Sequence, residues 1–245
     1  MCRSAKLLIL TDQEKGNNML MITVRKLIYR YLVFIVGLYF LSLGIVFIVK
    51  STLGTTPISS LNYVLSLNTS LSLGTTTFML NMLLIIGQFF LIRGRSTRKD
   101  IVEIMLQIPF SFAFGVFIDC NMWLCRDIVI HNYFMAVLTL CMGCIIQATG
   151  VVLELKPNVA IMSAEGFVKY ASRRYNKEFG RLKVKFDITL VALAAIVSLV
   201  LSGGIDGIRE GTAFAALSTG YIVAFISLHV ISRRNYDRLR ALLPH

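Results

Sequence analysis

Charge is what this sequence has least of. Only 16% of its 245 residues are charged and 56% are hydrophobic, with a mean hydropathy of +0.72. A soluble domain carries about 25% charged residues. From Ser51 through Ile92 there is no Asp, Glu, Lys or Arg, a run of 42 residues. Such a run excludes a water-facing surface and places the chain among membrane proteins. Histidine is nearly absent too: His131, His229 and His245 are the three, all near span ends or the tail. They support no His-based metal site or nucleophile arrangement. There is no Gly-x-Ser-x-Gly, no phosphate-binding loop and no zinc-ligand spacing, so no enzyme, cofactor or metal is expected.

Five cysteines remain to be placed. Cys141 and Cys144 sit on one face of a span and read as small buried hydrophobes. Cys120 and Cys125 fall in an expected external loop, where pairing is open. Residues 1–27 and 233–245 read as cytoplasmic tails, the first disordered.

About 20 apolar residues cross a bilayer core. That length fits spans at 31–49, 74–92, 101–118, 133–153, 186–202 and 211–231. Lys and Arg mark the cytoplasmic side. Only Lys50, Arg126 and Arg209 fall on the opposite side, leaving 22 of the 25 basic residues on one face. Six spans with both termini cytoplasmic satisfy this. The net charge of +12 is then topology signal and attraction to anionic lipids, not nucleic-acid binding.

The second half is a faint copy of the first, displaced by 106 residues. Gly37 falls on Gly143, Gly44 on Gly150, Lys50 on Lys156, Ser66 on Ser172 and Gly74 on Gly180, while Asn81 falls on Asp187. The expectation is an all-α polytopic membrane protein with two repeats of three spans, at 28–120 and 133–232, joined by a loop over 121–132. An odd number of spans per repeat makes the repeat inverted. The heptad-spaced glycines predict close approach of the first and fourth spans.

Between the first two spans, Ser51–Leu73 is uncharged, yet 14 of its 23 residues are Ser, Thr, Asn, Gly or Pro. Pro57 after Thr55-Thr56 predicts a helix start, so an extended stretch and a short helix over 57–67 are expected. Polar backbone at membrane depth needs a cavity or protein around it, and both re-entrant and interfacial placements stay open. The matching segment holds a second short helix over 163–175. Lys169, Arg173, Arg174 and Lys177, with Tyr170 and Tyr175, make it a basic arm suited to anionic head groups.

Gly37, Gly44, the stretch from Lys50 through Gly54 to Pro57, and Gly74-Thr75-Thr76 together resemble bacterial membrane proteins of the YczE/YyaS/YitT group over about residues 28–232. The resemblance implies a small multi-span protein of the bacterial inner membrane and assigns no substrate or functional residues. In the second half the Leu-Gly-x-x-Pro element is replaced by Val159-Ala160-Ile161-Met162-Ser163.

Ionisable groups at membrane depth are the functional candidates, because they are costly there. Lys50 beside the Thr55-Thr56-Pro57 helix start suggests an anion site, so Lys50, Gly54, Thr55 and Thr56 are the expected substrate residues. Glu154, Glu165 and Asp187 are the expected coupling residues. Glu103 and Glu210 read as helix caps, and Gln107 and Gln147 as interhelical hydrogen-bonding groups. The leading expectation is a secondary transporter of a small solute, anions being the favoured class, coupled to protons or sodium. The alternative is an accessory protein that binds a protein partner or anionic lipid. A homo-oligomer is compatible with either.

Overall fold

The computed structural model describes residues 2–94 and 96–226, with side chains from residue 24 onward. Among these residues there are eight α-helices and no strand. They are α1 (Cys2–Lys50), α2 (Pro57–Asn68), α3 (Leu73–Ile92), α4 (Arg98–Leu124), α5 (Tyr133–Leu155), α6 (Ser163–Tyr175), α7 (Phe179–Ser202) and α8 (Glu210–Phe225). Among the described residues, five stretches are long and apolar enough to cross a membrane: Val24–Lys50 of α1, and the whole of α3, α4, α5 and α7. The chain is thus an all-helical, membrane-like protein. The expected sixth span, 211–231, is described only over α8, whose 16 residues are about 24 Å long.

Several boundaries move from those expected. Helix α1 does not begin at 31: it runs unbroken from Cys2 to Lys50, and the apolar stretch within it, among the described side chains, takes in Val24–Lys50. Up to residue 23, the expected tail over 1–27 lies outside the described side chains; the 233–245 tail lies wholly outside the described residues. Helix α4 starts at a capping box in which Asp100 accepts from the Thr97 N–H at 2.9 Å, and it continues through Pro109 to Leu124. The expected loop over 121–132 therefore shrinks to 125–132. Helix α7 starts seven residues before the expected position, because its first two turns are basic and helical at once. Apolar length alone does not register such turns.

At the centre α1 and α5 lie antiparallel in close contact. A Cβ built on Gly37 would stand 2.6 Å from the Glu154 backbone nitrogen, and one on Gly143 2.7 Å from Ile48 Cγ1. Gly44 is equally crowded by the Gln147 Cα at 2.6 Å, and Gly150 by the Leu41 Cα at 2.7 Å. These are distances no real Cβ adopts, so glycine is required at all four positions. Each contact maps onto another when 106 is added to its first residue and subtracted from its second.

The remaining packing follows the same exchange. Helix α2 packs on α7 and α6 on α3; α1 packs on α4 and α5 on α8; α2 and α6 each also touch the helix that follows them. One pair breaks the pattern. Helix α3 packs along α4, whereas α7 and α8 have no comparable contact among the described residues.

Candidate functional site

The site grows from the reversal after α5. Asn158 adopts a left-handed conformation, φ 49, and turns the chain back toward the bundle. Arg30 fixes the reversal from α1: its Nε donates to the Pro157 carbonyl at 2.8 Å and its guanidinium to the Asn158 carbonyl at 3.1 Å. Met162 is thereby carried back toward Glu154, one residue before the end of α5, with its backbone N–H close enough to favour the carboxylate. Glu154 is 4% exposed, and its Oε1 has no hydrogen-bond partner.

Helix α6 starts inside the bundle. Ser163 Oγ donates to Asn81 Oδ1 at 2.6 Å, and Gln88 Nε2 donates to the Ser163 carbonyl at 3.1 Å. Asn81 and Gln88 lie 11 and 4 residues before the last residue of α3, roughly 16 and 6 Å inside that end. At the other end of α6, Arg174 donates to the Arg93 carbonyl at 3.0 Å. The helix therefore runs beside the last turns of α3, where an interfacial helix would lie across the bundle end. Gln88 and Gln107 pair through both amides, at 2.8 and 3.0 Å, fully buried. A Cβ on Gly166 would stand 2.7 Å from Gln107 Nε2, so the glycine lets α6 sit on this pair.

Glu165, in the first turn of α6, faces α7. Lys183 Nζ stands 3.7 Å from Glu165 Oε1 and 2.9 Å from Asp187 Oδ1. These three side chains are between a fifth and a third exposed. The structure thus gathers Glu154, Glu165 and Asp187 around the end of α5 and the start of α6, with Lys183 among them. Lys183 was not singled out in the sequence, although its position four residues before Asp187 on a helix is a pairing signal.

The four expected substrate residues do not form one site. Lys50 lines a cleft of about 560 Å³ at the other end of the bundle, with Thr52, Tyr63, Asp119 and Arg126 also on its walls. Its Nζ lies 3.5 Å from the Arg126 carbonyl oxygen. Gly54, Thr55 and Thr56 are not on those walls. Thr56 caps α2, accepting from the Ser59 N–H at 3.3 Å. The Thr55 N–H donates to Thr212 Oγ1 at 3.1 Å, while the Thr55 hydroxyl is buried without a partner. Gly54 packs against Thr212, leaving no room for a side chain. The segment was expected to hold an anion; its polar groups largely tie α2 to α8.

Other expectations are corrected by the contacts. Asp100, not Glu103, completes the α4 cap, and Glu103 pairs with Lys169 at 2.6 Å. Arg173 meets Asp100 at 3.1 Å. Two of the four charges of the basic arm are thus matched by α4. Tyr170 is buried between them; burial, with Glu103 and Asp100 close by, pushes its hydroxyl above the ordinary value. Gln107 bridges helices as expected, but Gln147 Oε1 has no partner. Cys120 is exposed, Cys125 is buried, and both are free.

With this geometry in place, the comparisons with known proteins place the chain. A model of a family of unknown function, DUF6198, matches residues 28–228, most of the sequence. The chain belongs to the DUF6198 family. No curated protein and no solved structure matches it. The matched range takes in the whole interior cluster and the Lys50 cleft.

Proposed function

We propose that this member of the DUF6198 family is a secondary transporter of a small solute, built as two inverted repeats of three spans. The observation that carries the reading is the placement of the two short helices. Each follows a left-handed turn and an extended stretch, and each packs on the middle span of the opposite half. Helix α6 begins beside the interior acids. Inverted repeats with interrupted segments meeting near ionisable groups are how many transporters frame a central site. The likeness to the YczE/YyaS/YitT group agrees with a multi-pass protein of the bacterial inner membrane.

In this reading Glu154, Glu165 and Asp187 bind the coupling ion, a proton or sodium. The Lys50–Arg126 cleft receives a small solute, and its two basic residues, set against the single acid Asp119, favour anions. Movement of one half against the other about the α1–α5 contact exposes the interior to each side in turn. The contrasting reading, an accessory protein held to lipid or a partner by the basic arm, draws less support, since Lys169 and Arg173 already have partners in α4.

The test is a melting screen of the detergent-purified protein against metabolites, across pH and with or without sodium. A solute is expected to raise the melting temperature of wild type and to lose that effect in Lys50→Ala. A library that shifts nothing under any condition would overturn the transporter reading.

A further inference from the structure

The charges of the interior do not balance. Glu154, Glu165 and Asp187 share one cation, Lys183, and Lys183 is engaged by Glu165 and Asp187. Glu154 belongs to neither ion pair. It is 4% exposed, with one carboxyl oxygen lacking any partner. The surrounding elements offer it no cation in contact among the described residues. Helix α1 presents Gly37 and Leu41 to this end of α5, and its Arg30 is engaged by the Pro157 and Asn158 carbonyls. Helix α8 presents Ile222 and Ile226 near Val152. From α6 come Glu165 and the segment's Met162 N–H, and from α7 Lys183 at longer range. A second, separate group nearby is unsatisfied: Asn81 Nδ2 is buried without a partner, while its Oδ1 is taken by Ser163.

An ionised carboxylate buried without a counter-ion is strongly disfavoured, and such a group neutralises itself by taking a proton. A proton needs a single oxygen, and Glu154 has one free. Among the described residues no three acids, histidines or cysteines converge as ligands of a metal ion would. We infer that Glu154 is the proton-carrying group of the interior and holds its proton in the state seen here. When the O–H bond of the carboxyl breaks, the proton passes to water on the open side and the carboxylate remains. A cation whose charge already bears on Glu154, and so able to compensate it, is Lys183. Lys183 must then loosen its contacts with Glu165 and Asp187, which links proton release to a shift of α7 against α6.

This inference rests on the transport reading for its purpose but not for its test. Infrared spectroscopy of the purified protein at neutral pH detects protonated carboxyl groups by their C=O stretch. Wild type is expected to show such a band, Glu154→Gln to lose it and Glu165→Gln to keep it. Replacing potassium by sodium is expected to leave it unchanged. A band that survives in Glu154→Gln, or that vanishes from wild type on adding sodium, would overturn the assignment. Should Glu154→Gln not fold, Glu154→Asp serves instead: a displaced band supports the site and an unmoved band contradicts it. A Glu154 band in a protein that binds and moves no solute would sink the transporter and leave the proton site standing.

Discussion

Thr52 and Asn158 stand 106 residues apart and share a left-handed backbone, with φ of 61 and 49. Each follows a lysine two residues earlier, Lys50 or Lys156, and each precedes an extended stretch leading into a short helix. Asparagine tolerates this conformation, whereas a β-branched threonine is an outlier there. The first half keeps the turn at a local cost that the second half largely avoids.

Thr52→Gly is therefore expected to stabilise the protein by about 1 kcal/mol, with Thr52→Asn in between. The Thr52 side chain is exposed and only its backbone is used: the N–H donates to the Val49 carbonyl at 3.1 Å and the carbonyl accepts from Arg209 at 3.3 Å. Melting temperatures of the two variants in detergent check this; a loss of stability in both would mean that the turn is not held as described.

The α1–α5 contact should tolerate no added carbon. Gly44→Ala forces the helix backbones apart and is expected to cost roughly 1–3 kcal/mol, the range for overpacking a tight interface. Gly180→Ala, in the first turn of α7 where nothing stands within 4 Å, is the control. Equal melting points for the two alanine variants would contradict the packing described for α1 and α5.

The Gln88–Gln107 pair should behave as one unit. Removing either amide strands the other in a buried position, at a cost of about 1–3 kcal/mol. Gln88→Leu with Gln107→Leu removes both and should be milder than the two single changes added together. Strictly additive losses in a double-mutant cycle would indicate that the amides are not coupled.

Asp100 acts twice, as the cap of α4 and as the partner of Arg173. Asp100→Ala should cost about 1 kcal/mol through the cap, with the partly exposed ion pair adding little. Arg173→Ala should thus cost clearly less. High salt is expected to narrow the Arg173 effect and leave the cap effect intact, as read by denaturation in detergent at two ionic strengths.

Much of the frame was legible because membrane burial writes itself as apolar length. Five of the six expected spans, the α2 start at Thr56-Pro57, and the approach of α1 to α5 through Gly37, Gly44, Gly143 and Gly150 were readable in this way or from local spacing. What escaped has a common origin. The first turns of α7 are helical but basic, so a search for apolar length passes over them. The partners of Lys169 and Arg173 lie on α4, some 70 residues away, and no local spacing announces them. Lys50 neighbours Thr55 and Thr56 in sequence, yet after the left-handed turn at Thr52 only Lys50 of the three lines the cleft. Gathering Glu154, Glu165 and Asp187 depends on the Arg30-held reversal, which only three dimensions reveal.

The most direct measurement is uptake into proteoliposomes of the solute that the melting screen identifies, under an imposed pH gradient. The account predicts uptake that requires the gradient in wild type and is lost in Glu154→Gln. Uptake that ignores the gradient, or that survives unchanged in Glu154→Gln, would contradict it.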